Sequence, residues 1–64
     1  MNANYSRNLK DLRGDKTLEE VAKAVGISVS SLGMYETGKR VPRDDVKIRI
    51  AKYYKTTVAA IFFS

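Results

Sequence analysis

Apolar residues recur along this chain at helical spacing in short bursts, and each burst is fenced by turn-forming residues. Tyr5, Leu9 and Leu12 share one helix face, so the pattern predicts a first helix from Tyr5 to Arg13, stopped by Gly14-Asp15. A second stripe runs through Leu18, Val21, Ala22 and Val25. Ahead of it, Thr17 and Glu20 stand at the spacing of a capping box: the Thr17 hydroxyl accepts from the Glu20 N–H, and the Glu20 carboxylate reaches back to the Thr17 N–H. Gly26 supplies the left-handed residue expected just past a helix end. Ser28 then caps a third helix that runs through Val29, Leu32 and Tyr35 and stops at Gly38. Pro42 leads into a fourth helix, with Asp44 and Asp45 against its positive end and Val46, Ile50, Ala51 and Tyr54 as its buried face. Thr57 caps a last short helix carrying Val58, Ile61 and Phe62. The expectation is an all-α domain of five helices and no sheet.

Length narrows the ways such a chain can hold together. With 64 residues it forms one domain, residues 1–64, around one core, and a chain this short buries only about 60% of the surface its unfolded form exposes. It contains no Cys and no His, so disulfides and the usual zinc ligands are excluded and no metal or cofactor is expected. Packing alone must carry the fold. No apolar run is long enough to span a membrane, and Met1 to Ser6 carries no apolar leader, which sets the expectation of a cytoplasmic protein without a membrane partner.

Charge changes the picture further. Twelve Lys and Arg against seven Asp and Glu give a net charge of +5, which suits a polyanionic partner. The distribution is uneven: Lys39, Arg40, Arg43, Lys47, Arg49, Lys52 and Lys55 are opposed, within that stretch, only by Asp44 and Asp45. Catalysis finds little support. The acidic pairs Glu19-Glu20 and Asp44-Asp45 sit at helix starts, where capping and dipole effects account for them. Without His or Cys the common nucleophilic triads cannot be assembled, and the four glycines stand singly rather than in a phosphate-cradling loop. No enzyme and no small-molecule ligand is expected.

The segment from about residue 17 to residue 37 resembles the helix-turn-helix of the Cro/phage-repressor (Xre-type) DNA-binding family. The positions that carry the resemblance are Thr17, Glu20, Val21, Ala22, the Val25-Gly26-Ile27-Ser28 turn, Leu32, Tyr35-Glu36 and Gly38-Lys39, followed by Pro42 and Ile50-Ala51-Lys52. It extends from about Leu9 to Phe62. Small Ala22, then Gly26, then apolar Leu32 meet what two helices need in order to cross steeply around a tight turn. A purely structural helical bundle would use the same apolar residues, but it leaves unexplained the short hydroxyls and cations gathered around the third helix.

That resemblance implies a compact λ-repressor-like fold, double-stranded DNA as partner, and a third helix entering the major groove by its N-terminal end. Carried over position by position, it places Val29, Ser30, Gly33 and Met34 against base edges, and Ser28, Lys39, Arg40 and Arg43 on phosphates, with backbone N–H groups around Thr17 and Leu18 adding further phosphate donors. Three departures stand out. Family members often carry Gln where this chain has Leu18. They often carry Arg, Gln or Lys where it has Val29 or Met34, so bidentate reading of guanine or adenine from those positions is impossible here. Val29 and Met34 are instead suited to thymine methyls or to an apolar protein surface, Ser30 and Ser31 to single hydrogen bonds with bases, and DNA shape to the remainder. The third departure is the loop between Arg13 and Thr17, about two residues shorter than is usual in the family, which argues against a family-like ion pair between Arg13 and Glu36. Finally, the apolar tail ending in Ile61-Phe62-Phe63 is more than so small a domain can hide, so Phe63, with Tyr53, is the candidate surface for a homodimer. Two functions follow: a transcriptional regulator, as a repressor of phage or mobile-element type, or a protein-interaction module of antirepressor-like or antitoxin-like kind that kept the fold without base reading.

Overall fold

The computed structural model describes residues 4–63. Five helices follow one another: α1 (Asn4–Arg13), α2 (Leu18–Val25), α3 (Val29–Glu36), α4 (Asp44–Tyr53) and α5 (Val58–Phe62), with no strand among the described residues. Three of them begin in the same way. Thr17, Ser28 and Thr57 hold extended backbone angles, and each hydroxyl accepts from the N–H three residues on, at 3.0 Å in all three cases. Each bond satisfies one of the amide donors that a helix start leaves without an internal partner. At α2 only this half of the expected capping box forms, since the hydrogen bonds of the described residues do not include one from the Thr17 N–H to the Glu20 carboxylate. Helix α4 starts differently: Arg43 makes no side-chain cap, buried Pro42 sets the approach, and Asp44 and Asp45 occupy the first turn.

The ends are equally local. Gly26 closes α2 at a φ of 87°, its N–H bonded to the Ala22 carbonyl at 2.8 Å, a left-handed conformation that costs a side-chain-bearing residue energy. Space is tight there as well, because a Cβ would stand 3.1 Å from Nη1 of Arg49 and that guanidinium would have to give way slightly. That guanidinium donates to the Val25 carbonyl at 3.3 Å, placing a cation on the negative end of α2. After α4 the same left-handed role falls to Lys55, at a φ of 57°.

Packing brings α1 against α3 and α5, α2 against α3 and α4, and α4 against α5. The five largest fully buried side chains are Leu9, Val21, Leu32, Ile50 and Ile61, one from each helix. Every helix therefore contributes an anchor to one core, and removing any of them leaves a gap shared by its neighbours. The Arg13–Glu36 pair, which the short loop argued against, is present. Arg13 Nε donates to both Glu36 carboxylate oxygens, at 3.1 and 2.8 Å, and Nη2 adds a third bond at 3.0 Å. Loop length sets where α2 begins, but α1 packs directly on α3, so the guanidinium reaches Glu36 whatever the loop does.

Leu32→Ala should cost about 2 to 5 kcal/mol, the range for emptying a buried leucine site. Thermal unfolding followed by circular dichroism will show a large fall in Tm; a variant that melts like the wild type would mean that Leu32 is not the anchor between α2 and α3.

Candidate nucleic-acid interface

The outer side of α3 carries the residues singled out from the sequence. Val29 is 41% exposed and Met34 39%, Ser30 is exposed, and Gly33 is half-buried, with open space where its Cβ would be. The inner side holds Leu32, Tyr35 and Glu36, all buried. Expected base-contacting and structural positions therefore separate cleanly around one helix.

Hydroxyl chemistry at the start of α3 is already partly committed. Ser28 Oγ accepts from the Ser31 N–H and donates its own proton to Ser31 Oγ at 2.9 Å. Ser31 is thus the member of the pair whose hydroxyl proton stays available to an outside acceptor, a role that sequence alone gave to Ser28. Thr17 accepts from the Glu20 N–H and keeps its own hydroxyl proton, and Leu18 is half-buried against the core, so the donors at the start of α2 are the exposed Thr17 hydroxyl and the backbone N–H groups.

Not all the cations of the second half are alike. Lys47 pairs with Asp44 at 3.8 Å, and Arg49 with Asp45 at 3.6 Å, each along one turn of α4. Lys39, Arg40 and Arg43 are exposed and hold no ion pair among the described residues. They lie on the segment leaving α3, which is tied down from α1 by the Tyr5 hydroxyl donating to the Arg40 carbonyl at 3.0 Å. Unpaired positive charge therefore lies on the segment leaving α3, at Lys39, Arg40 and Arg43, and at the far end of α4, at Lys52 and Lys55, while the first turns of α4 are neutralised.

The interior end of α3 is fixed by charge as well. Glu36 is 4% exposed at its side chain, and Arg13, which it faces, also donates from Nη1 to the Lys16 carbonyl at 2.7 Å. Hydrogen bonding to Glu36, more than the opposing cost of desolvation, holds the Arg13 guanidinium above its ordinary proton affinity. Burial pushes the nearby Tyr54 phenol up to about 12, with Glu36 adding to the effect. The Tyr54 hydroxyl is buried and has no hydrogen-bond partner among the described residues.

The two residues expected at a dimer surface have different neighbours. Phe63 is 73% exposed, its ring 5.5 Å from Lys47 Nζ, and the same ammonium lies 5.4 Å from the ring of half-buried Phe62. Tyr53 is half-buried, edge-on to Tyr54 with ring centres 5.0 Å apart, and has Lys16 Nζ 6.0 Å from its ring. Sequence reasoning passed over Ile48, which follows Lys47 on α4 and is 50% exposed.

Comparison with known proteins points the same way as this geometry. Residues 9–61 match the family model described as helix-turn-helix. The chain is 30% identical over 59 residues to the cryptic phage CTXphi transcriptional repressor RstR of Vibrio cholerae, an alignment covering 89% of this chain and 53% of that protein. The chain thus spans about half the length of the repressor it matches. No solved structure matches at comparable stringency.

Tyr54→Phe tests the unpartnered hydroxyl. A phenol raised from 10.0 to about 12 on folding contributes stability that is complete below pH 10 and is lost as pH climbs towards 12. Wild-type stability should therefore fall more steeply than that of the variant across this window in denaturant titrations. At neutral pH the variant should gain about 1 kcal/mol, because a buried polar group without a partner is removed. Parallel pH profiles for the two proteins would rule the assignment out.

Proposed function

The chain belongs to the helix-turn-helix family, and from that premise we propose that it is a transcriptional repressor of phage or mobile-element type, binding double-stranded DNA as a homodimer in the cytoplasm. Its five helices act as one domain, without cofactor, small-molecule ligand or catalysis. The observation that supports the proposal is the trio of exposed, unpaired cations on the segment leaving α3, Lys39, Arg40 and Arg43, which would meet the backbone of a duplex holding α3 in its major groove. Val29, Ser30, Gly33 and Met34 face the bases. Ser31, in place of Ser28, and the backbone donors at Thr17 and Leu18 join the three cations on phosphates.

Size supports a dimer. The longest dimension of the described residues is 28 Å, short of the roughly 34 Å that separates successive major-groove faces on one side of the duplex. One copy therefore reads one half-site. Phe63 is the anchor of the proposed two-fold contact, and the exposed edge of Tyr53 contributes at its margin.

The donor-poor face of α3 favours a second reading, in which the domain binds a protein instead of bases. Selection from a random duplex pool, with half-site spacing read from the winners, separates the two. A DNA reader yields an enriched, paired motif whose affinity falls with salt by about 0.9 in log slope per phosphate neutralised. A protein-binding module yields no motif.

Arg40→Ala and Arg43→Ala should each weaken binding to every sequence and flatten the salt dependence by about one unit of log slope. Lost discrimination with intact overall affinity would contradict their assignment to phosphates. Phe63→Glu should leave a folded monomer that binds a paired site far more weakly, as read by sedimentation and fluorescence anisotropy. A wild type that stays monomeric both free and on its selected site would remove the dimer from the proposal.

A further inference from the structure

Gly33 is the one position on α3 that the fold does not account for. A glycine inside a helix is less favourable than alanine, because it gives up more backbone freedom on folding. Gly26 repays that loss with a left-handed φ and with the Arg49 guanidinium 3.1 Å from where a Cβ would be. Neither reason holds at Gly33: its φ is not positive, and nothing lies within 4 Å of a Cβ placed on it. The fold itself places no demand for glycine there, and the missing side chain leaves the α3 backbone open to close approach from outside the molecule.

The surroundings of the gap say what would approach. One helical turn to either side stand Val29, 41% exposed, and Thr37, whose hydroxyl is turned back onto the Gly33 and Met34 carbonyls at 3.0 and 3.2 Å. Thr37 therefore spends its polar atom inside the helix. Met34 adds a further exposed apolar side chain, and α3 carries no Lys, Arg, Asn or Gln. Apart from the exposed Ser30 hydroxyl three residues back, the lining is apolar, while Lys39, Arg40 and Arg43 nearby attract a polyanion. Among the major-groove edges of DNA, the apolar group is the 5-methyl of thymine.

We propose that the gap at Gly33, between Val29 and Thr37, is a notch that receives a thymine methyl, so that this domain reads its site through methyl groups in place of bidentate hydrogen bonds. The inference rests on the DNA-binding reading above and names the chemical feature that α3 recognises there. Glycine is required because a Cβ would occupy the methyl's place.

The test uses the full chain and a duplex taken from the selected pool, in which each thymine is replaced in turn by deoxyuridine, a change that removes only the methyl. At the position facing Gly33, wild-type affinity should fall about fourfold, the factor expected for one buried carbon. Gly33→Ala should bind the thymine duplex at least tenfold more weakly than wild type and recover on the deoxyuridine duplex, where its own methyl fills the notch. Its Tm should rise by about 4 to 8 °C, since an exposed mid-helix glycine has been replaced. A lower Tm would show that the fold itself requires Gly33, and would overturn the proposal. Equal affinity of the wild type for all deoxyuridine duplexes, or an identical thymine-to-deoxyuridine effect in both proteins, overturns it while leaving DNA binding intact. Failure of the wild type to enrich any duplex brings down the repressor reading, and the notch with it.

Discussion

Glu36 carries a negative charge into the interior at the last turn of α3, and Arg13 answers it from the last turn of α1. The same guanidinium holds the Lys16 carbonyl in the turn that leads to α2. One side chain therefore joins the end of the first helix, the approach to the second and the end of the third. A pair of this kind adds little net stability compared with well-packed apolar side chains, because the Glu36 carboxylate leaves water to form it. Losing Arg13 is another matter, since the Glu36 carboxylate left behind is buried and unanswered, at a cost of about 3 to 5 kcal/mol. Its contribution is to geometry: with Glu36 held, α3 cannot roll about its axis without breaking three hydrogen bonds. The outward display of Val29, Ser30, Gly33 and Met34 depends on that.

Electrostatics on the outside complements this arrangement. Asp44 and Asp45 serve α4 twice, favouring its positive end and drawing Lys47 and Arg49 into pairs one turn on. Such exposed pairs contribute little to stability. They do withdraw two cations from the field, and the charge that remains unpaired on Lys39, Arg40 and Arg43 sits beside α3, where it bears on an approaching polyanion.

Much of this could be read from the sequence, because most helix boundaries here are decided by chemistry within four residues. The hydroxyls of Thr17, Ser28 and Thr57 and the glycine at 26 act on their own turns, so their positions survive any tertiary context. What could not be read depends on distant partners. Arg13 and Glu36 are 23 residues apart, and loop length proved a poor guide to a contact set by direct packing of α1 on α3. Nothing marks Lys55 as a left-handed residue, since lysine rarely takes that role. Within the candidate site, the cations of the second half look equivalent in sequence, and only the fold divides paired from unpaired. Ser31 likewise takes over the outward donor role of Ser28 once their shared hydrogen bond is seen.

The contact between Arg49 and the turn at Gly26 gives the two positions unequal freedom over evolutionary time. Shortening Arg49 would clear the space over position 26, yet the left-handed backbone there would still select glycine. Conversely, a bulkier residue at 26 would meet both the backbone strain and the guanidinium, forcing Arg49 away from the Val25 carbonyl. Dependence runs one way: Gly26 can outlast Arg49 in descendants of this chain, whereas the pose of Arg49 cannot outlast Gly26. Aligned descendants should therefore vary at position 49 against an unchanging 26, and the helical hairpin that presents α3 would be inherited more faithfully than the side chain that braces it.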